Sequence, residues 1–296
     1  SIITFKSSLF HYMLMNKWLE LTRIKQWYKN VVIFLPLVFV GALFNKDSLL
    51  LTIAGFFTLC LASSASYIFN DIKDRNEDKK NPEKKDRPIA AGTISIPVAA
   101  IIALILLAVS LAGAFMLSLK FALGIFSLFA MTMAYTLWLK NKMFLDILAI
   151  AVNFVIRTIS GAFILSVIIS PWVILCTFFL SLFLSSGKRA SELKYLKEGA
   201  VSHRKVLAGY TPEITNMLLI VSTVSLVMSY SLYTFMSIHP RLIYTLPFAL
   251  YLIFRFVSFI YSGSDIARHL DRMVYDKGMM IGSALLLALI IAILYL

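Results

Sequence analysis

Residues 49–78 read LLLTIAGFFTLCLASSASYIFNDIKDRNED. Positions 49–70 carry no charge, and about 20 such residues suffice to cross the hydrocarbon core as a helix. Positions 71–78 then carry Asp71, Lys73, Asp74, Arg75, Glu77 and Asp78. An uncharged run that passes directly into a charged one places the charges at a membrane surface. Similar apolar runs lie on either side. They place spans at 31–45, 49–70, 96–117, 120–139, 143–167, 171–187, 214–237, 241–261 and 278–296. The expected fold is all-α: a polytopic membrane protein of nine transmembrane helices, arranged as two four-helix halves plus one.

Composition agrees. Of 296 residues, 60% are hydrophobic and only 15% charged, against about 25% charged in soluble domains. The net charge of +13 resides in Lys and Arg flanking the spans. Counted on alternate sides, 23 fall with the large loops and three (Lys46, Lys120 and Arg241) on the other side. Cationic loops stay cytoplasmic. The N-terminus and the loops are therefore expected in the cytoplasm of a bacterial-type inner membrane, with the C-terminus opposite. Membrane orientation accounts for the positive charge, so no nucleic-acid partner is expected. Cys60 and Cys176 sit within apolar runs and read as packing. One catalytic domain is expected over 1–296. Residues 1–30 form a cytoplasmic amphipathic segment, and 71–95 and 188–213 form active-site loops. Oligomeric state is left open.

Asp71, Asp74 and Asp78 have i, i+3, i+7 spacing. If the span continues as a helix, the three carboxylates fall within roughly 60° of one face. Tyr67 and Asn70 lie on or beside that stripe. Such a cluster repels itself unless a cation sits among its oxygens. Mg2+ suits it, being a hard ion held by few carboxylates together with substrate phosphates. The competing reading is a solvated helix end, with Lys73, Arg75 and Lys79 as local partners. The turn-prone stretch 84–92 adds Lys85 and Arg87, suited either to clamping phosphate oxygens or to anchoring at lipid headgroups.

The pattern Asn70-Asp71-x-x-Asp74-x-x-x-Asp78, followed by Arg87-Pro88 and Gly92, resembles the first aspartate-rich motif of the UbiA-type intramembrane prenyltransferases. Nine helices with two cytoplasmic active-site loops resemble that superfamily's architecture as well. The resemblance implies that Mg2+ bridges these aspartates to the diphosphate of a donor. A second aspartate-rich motif is usual after span six. This chain instead has Ser185-Ser186-Gly187-Lys188-Arg189-Ala190-Ser191-Glu192, with Ser181, Ser185, Lys188 and Glu192 on one helical stripe. One carboxylate beside two cations points to a phosphate site rather than a second metal site; snorkelling at a helix end is the alternative.

That segment resembles one branch of the superfamily, the decaprenyl-phosphate phosphoribosyltransferases. So do Lys25-Gln26-Trp27-x-Lys29-Asn30 with Phe34-x-Pro36-Leu37, Arg157-x-x-x-Gly161, Arg255, and Asp271-Arg272. The branch implies Mg2+-dependent transfer of 5-phosphoribose from phosphoribosyl diphosphate to a polyprenyl phosphate in cell wall biosynthesis. Lys25, Lys29 and Asn30 are candidates on the entry segment, which also reads as a surface amphipathic helix. Asp146, Asn153 and Arg157 share a stripe on span five, and in-span charges face a cavity or each other. Tyr135 and Lys140 end span four as further candidates. The alternatives are a prenyltransferase acting on an aromatic acceptor and a transporter or lipid flippase.

Overall fold

The computed structural model describes residues 17–196 and 205–296. The N-terminal segment up to residue 16, part of the expected amphipathic stretch, and loop residues 197–204 lie outside the described residues. After a helical stretch at 17–21, nine α-helices lie wholly within the described residues. They are α1 (Leu35–Phe39), α2 (Lys46–Lys80), α3 (Ile96–Leu117), α4 (Leu119–Ala134), α5 (Leu145–Leu165), α6 (Pro171–Leu196), α7 (Pro212–Met236), α8 (Leu246–Ser262) and α9 (Lys277–Tyr295). Eight of them, α2 to α9 with their short extensions, are long and apolar enough to cross a membrane.

The expected span at 31–45 is the exception. In place of a spanning α-helix, this part of the chain forms a 3-10 helix, Ile24–Phe34, and then the five-residue α1. A 3-10 helix repeats every third residue and rises about 2.0 Å per residue. Its period lines up Trp27, Asn30 and Ile33 against the protein. Trp27 Nε1 donates to Ser64 Oγ at 3.0 Å, and Asn30 and Ile33 are buried. The run descends antiparallel to α2. Ser64 Oγ donates to the Thr22 carbonyl at one end, and Tyr295 Oη donates to the Val38 carbonyl at the other.

Gly161 on α5 makes this descent feasible. A Cβ there would lie 2.1 Å from the Ile33 carbonyl oxygen. Because the obstacle is backbone, Gly161→Ala is expected to lower stability by about 1–3 kcal/mol, the usual cost of overpacking. Thermal unfolding in detergent measures it; an unchanged midpoint contradicts the close approach.

The two halves repeat one feature. Their second helices, α2 and α6, overrun the bilayer and pack most extensively on the helix that follows. At 1.5 Å per residue, the 35 residues of α2 reach about 52 Å, against a hydrocarbon core of about 30 Å. Leu59, Phe121, Ile125, Leu128 and Ile164 form one core among α2, α4 and α5. Phe183, Leu219, Phe256 and Ile260 form a second among α6, α7 and α8. Leu104, Phe126, Ile220 and Ile281 point outward, as a lipid solvent permits.

Candidate active site

The carboxylates stand on the overrun of α2. Because the helix continues to Lys80, Asp71, Asp74 and Asp78 are helical and not part of a loop. At 100° per residue, Asp78 falls about 20° from Asp71 and Asp74 about 60°. Asp71 and Asp78 accordingly meet at one partner. Arg87 Nη1 donates to Asp71 Oδ1 at 3.1 Å and to Asp78 Oδ2 at 2.7 Å. Asp74 turns to the neighbouring element and pairs with Lys140. The three therefore do not converge on one point, and among the described residues no group of three His, Cys, Asp or Glu does. Asp71 and Asp78 thus form a close pair, with Asp74 a third carboxylate on the adjacent face.

Arg87 is seated by a compact turn. The Pro88 carbonyl accepts from the backbone amides of Thr93 and Ile94 and from Thr93 Oγ1. Gly92 takes φ 75°, a left-handed conformation that favours glycine. Ile89 and Ile94 bury against Ile68 and Leu21, which holds the turn over the exposed end of α2. Arg75 Nε donates to the Ile89 carbonyl and so braces the turn.

The cations on the carboxylates all come from outside α2. Arg23 pairs with Asp71, Lys84 lies 3.9 Å from Asp78, and Lys140 comes from the end of α4. The local partners of the solvated-end reading, Lys73, Arg75 and Lys79, make none of these pairs among the described residues.

Lys140 reaches Asp74 because α4 ends in a π-turn, Tyr135–Leu139. Its wider turn closes an i to i+5 hydrogen bond from the Lys140 amide to the Tyr135 carbonyl and so brings the two candidates onto one side. Such insertions recur at functional sites. The same turn presents Thr136, which donates to Asn70 Oδ1 at 3.1 Å.

The second constellation, on α6, is also helical rather than looped. Arg189 is 1% exposed. Its Nε donates to Asp146 Oδ2 at 2.8 Å and its Nη1 to Glu192 Oε2 at 2.6 Å. Tyr210 Oη donates to Asp146 Oδ1 at 2.6 Å. Burial, and then the Asp146 carboxylate, push the Tyr210 hydroxyl well above its usual range. Arg189 thus ties α6 to α5, and Asp146 links both to the stretch before α7 through Tyr210. Lys188 is more open and lies 3.9 Å from Glu192 Oε1. Ser181 and Ser185 are buried on the same stripe.

Arg157 is buried and donates to Asn30 Oδ1 at 2.9 Å. Lys29 and Arg23 flank the Tyr67 ring at 6.0 and 5.3 Å. Lys25 and Lys85 are exposed and form no ion pair with the carboxylates among the described residues. Arg255 is held in a bidentate pair with Asp276, the N-cap of α9. Sequence reasoning missed Arg23 and Lys84, counted only as flanking charge. It also missed a bridge above the site, in which Arg268 pairs with Asp265 and lies 3.7 Å from Glu83. Beside it, burial and then Arg272 hold the His269 imidazole below its usual range.

Residues 31–270 match the model of the UbiA prenyltransferase family. The chain is 34% identical over 217 residues to the decaprenyl-phosphate phosphoribosyltransferase of Mycobacterium tuberculosis, covering 72% of each. It is 32% identical over 222 residues to the protein of that name from Mycolicibacterium smegmatis, covering 73% of this chain and 70% of the other. A UbiA homolog from Archaeoglobus fulgidus bound to GPP and Mg2+ shares the fold, with a TM-score of 0.72 at 19% identity, over 95% of this chain and 100% of that one. A helical bundle with its paired carboxylates at one end, matched over most of its length, is a membrane-embedded transferase that belongs to the UbiA prenyltransferase family.

Proposed function

We propose that this chain transfers 5-phosphoribose from phosphoribosyl diphosphate to a polyprenyl phosphate, releasing diphosphate, with Mg2+ as the required ion. The observation that carries this reading is the unequal chemistry of the two helix ends. Asp71 and Asp78 of α2 share one guanidinium nitrogen, whereas α6 offers Glu192 beside two cations. The names of the relatives support it.

The donor set fits the ion. A cationic nitrogen already lies between two carboxylate oxygens, and a hard divalent cation accepts such ligands alongside phosphate oxygens. Asp71 and Asp78 would hold it, with Asp74 less than a turn away along α2. When bound, it neutralises charge on the leaving diphosphate. Arg23, Lys84, Arg87 and Lys140, now spent on the carboxylates, would offer charge-assisted hydrogen bonds to the same diphosphate. The C1–oxygen bond to diphosphate breaks with its electron pair on the leaving group. An oxygen of the acceptor phosphate then bonds to C1, through an oxocarbenium-like state. That phosphate is largely ionised near neutrality, its second pKa being about 6, so no catalytic base is required. Lys188 would steady a substrate phosphate, and Arg189 would position Glu192. The Lys and Arg asymmetry supports a cytoplasmic position for this end, by the positive-inside rule, and the bacterial relatives support a bacterial-type membrane.

The test uses purified protein in detergent with labelled phosphoribosyl diphosphate and a polyprenyl phosphate. A labelled lipid that forms with Mg2+ and disappears with EDTA is the expected result. Absence of that product, with transfer from a prenyl diphosphate to an aromatic acceptor, overturns the reading.

A further inference from the structure

Arg157 and Lys29 lie below the carboxylates, between the 3-10 run, α2 and α5, and neither forms an ion pair with a carboxylate among the described residues. Arg157 is 6% exposed. Its Nε is committed to Asn30 Oδ1, and its guanidinium stacks 5.3 Å from the Phe154 ring. Its two terminal nitrogens have no hydrogen-bond acceptor, and no carboxylate is within ion-pair reach, among the described residues. The Lys29 ammonium lies over the Tyr67 and Tyr28 rings at 6.0 and 5.9 Å. Asp271 is in electrostatic range of Lys29 but forms no ion pair with it.

Asn30 is itself fixed. Ser63 Oγ donates to its Oδ1 at 3.2 Å, and its Nδ2 donates to Cys60 Sγ at 3.2 Å. Both partners are on α2. The Asn30 amide is thereby locked with its oxygen toward Arg157, and the two terminal nitrogens of the guanidinium remain for something else. A buried guanidinium without a counter-ion is costly in a membrane and faces a cavity or ligand there. Depth follows from the α2 register. Tyr67 lies about 6 Å, and Ser63 about 12 Å, below Asp71 at 1.5 Å per residue.

We propose that Arg157 and Lys29, with Tyr67 and Asn30 as their supports, form a phosphomonoester-binding site on the membrane side of the carboxylates. The proposal rests on the phosphoribosyl-transfer reading and deepens it. A dianionic phosphate matches the bidentate fork of Arg157 and the point charge of Lys29. The offset from Asp71 leaves room for a ribose between this phosphate and a diphosphate at the carboxylates. In that reaction two groups have the required chemistry: the phosphate of the lipid acceptor and the 5-phosphate of the donor.

Binding in detergent, without turnover, tests the proposal. A short-chain polyprenyl monophosphate, the corresponding alcohol, and ribose 5-phosphate are titrated into wild type, Arg157→Gln and Lys29→Gln. Each variant is expected to weaken one phosphomonoester by about tenfold or more, the size of a lost charged hydrogen bond, and to leave the alcohol unchanged. Weakening of the lipid phosphate alone assigns the acceptor; weakening of ribose 5-phosphate alone assigns the donor. Because Arg157→Gln removes an unpaired buried charge, its ligand-free melting temperature is expected to hold or rise. A brace for Asn30 predicts the opposite. Unchanged phosphomonoester affinity in both variants overturns the proposal. So does equal loss of alcohol affinity with a falling melting temperature, or failure of wild type to bind either phosphate. Failure of the parent reading shows separately, as wild-type protein that binds a phosphomonoester but forms no phosphoribosyl lipid.

Discussion

Asp71→Asn is expected to reduce Mg2+-dependent phosphoribosyl transfer by roughly 10²–10³-fold, comparable to removing one preorganised electrostatic contact from an active site. The side chain keeps its volume and loses its charge. Asp71 is 4% exposed and accepts from both Arg23 and Arg87, so no solvent-borne carboxylate substitutes for it. A distinguishing signature goes with the loss: the Mg2+ concentration for half-maximal rate rises, because one of two convergent ligands has gone. Steady-state rates across a Mg2+ titration measure both. Full activity at an unchanged Mg2+ requirement removes Asp71 from the metal assignment. Asp74→Asn is expected to be milder in Mg2+ dependence, because its carboxylate faces Lys140 and not the shared point.

The largest effect on stability is expected from Asp146→Ala. Asp146 is fully buried and joins Arg189 of α6 and Tyr210 ahead of α7 to the first turn of α5. Deleting one member of a buried ion pair costs about 3–5 kcal/mol, because the partner charge remains in a low-dielectric interior. Glu192 retains one contact with Arg189, which places the expected loss toward the lower end of that range. Asp146→Asn combined with Arg189→Met is expected to recover part of the loss, since replacing both charges is often neutral. Thermal unfolding of wild type and the two variants in one detergent provides the comparison. If Asp146→Ala unfolds with wild type, the triad does not join these helices.

The acidic stripe was legible because it is local: residues within seven positions on one helix have angles that follow from the helical repeat. The same arithmetic contained the divergence of Asp74, which the roughly 60° spread concealed. The buried partner of Arg189, Asp146, was not legible, because it is 43 residues away. Nothing in local spacing reveals that pairing. Arg23 shows the same limit, since its tie to Asp71 spans 48 residues. Tyr135 and Lys140 were identifiable as polar residues at a span end, but the π-turn that aligns them was not.

The apolar runs determined by themselves that the chain crosses a membrane repeatedly, since only a helix satisfies its own backbone in lipid. They also located the charged end, because ionised residues cannot remain in hydrocarbon without partners or a cavity. Tertiary structure decided how the first run passes the bundle. Gly161 admits the Ile33 backbone, and contacts on Trp27 and Asn30 favour a three-residue period over an α-helical one. It also decided which cations neutralise the carboxylates and which, among the described residues, have no ion pair. Ion pairing depends on distance in space, and folding alone brings residues from separate spans within reach.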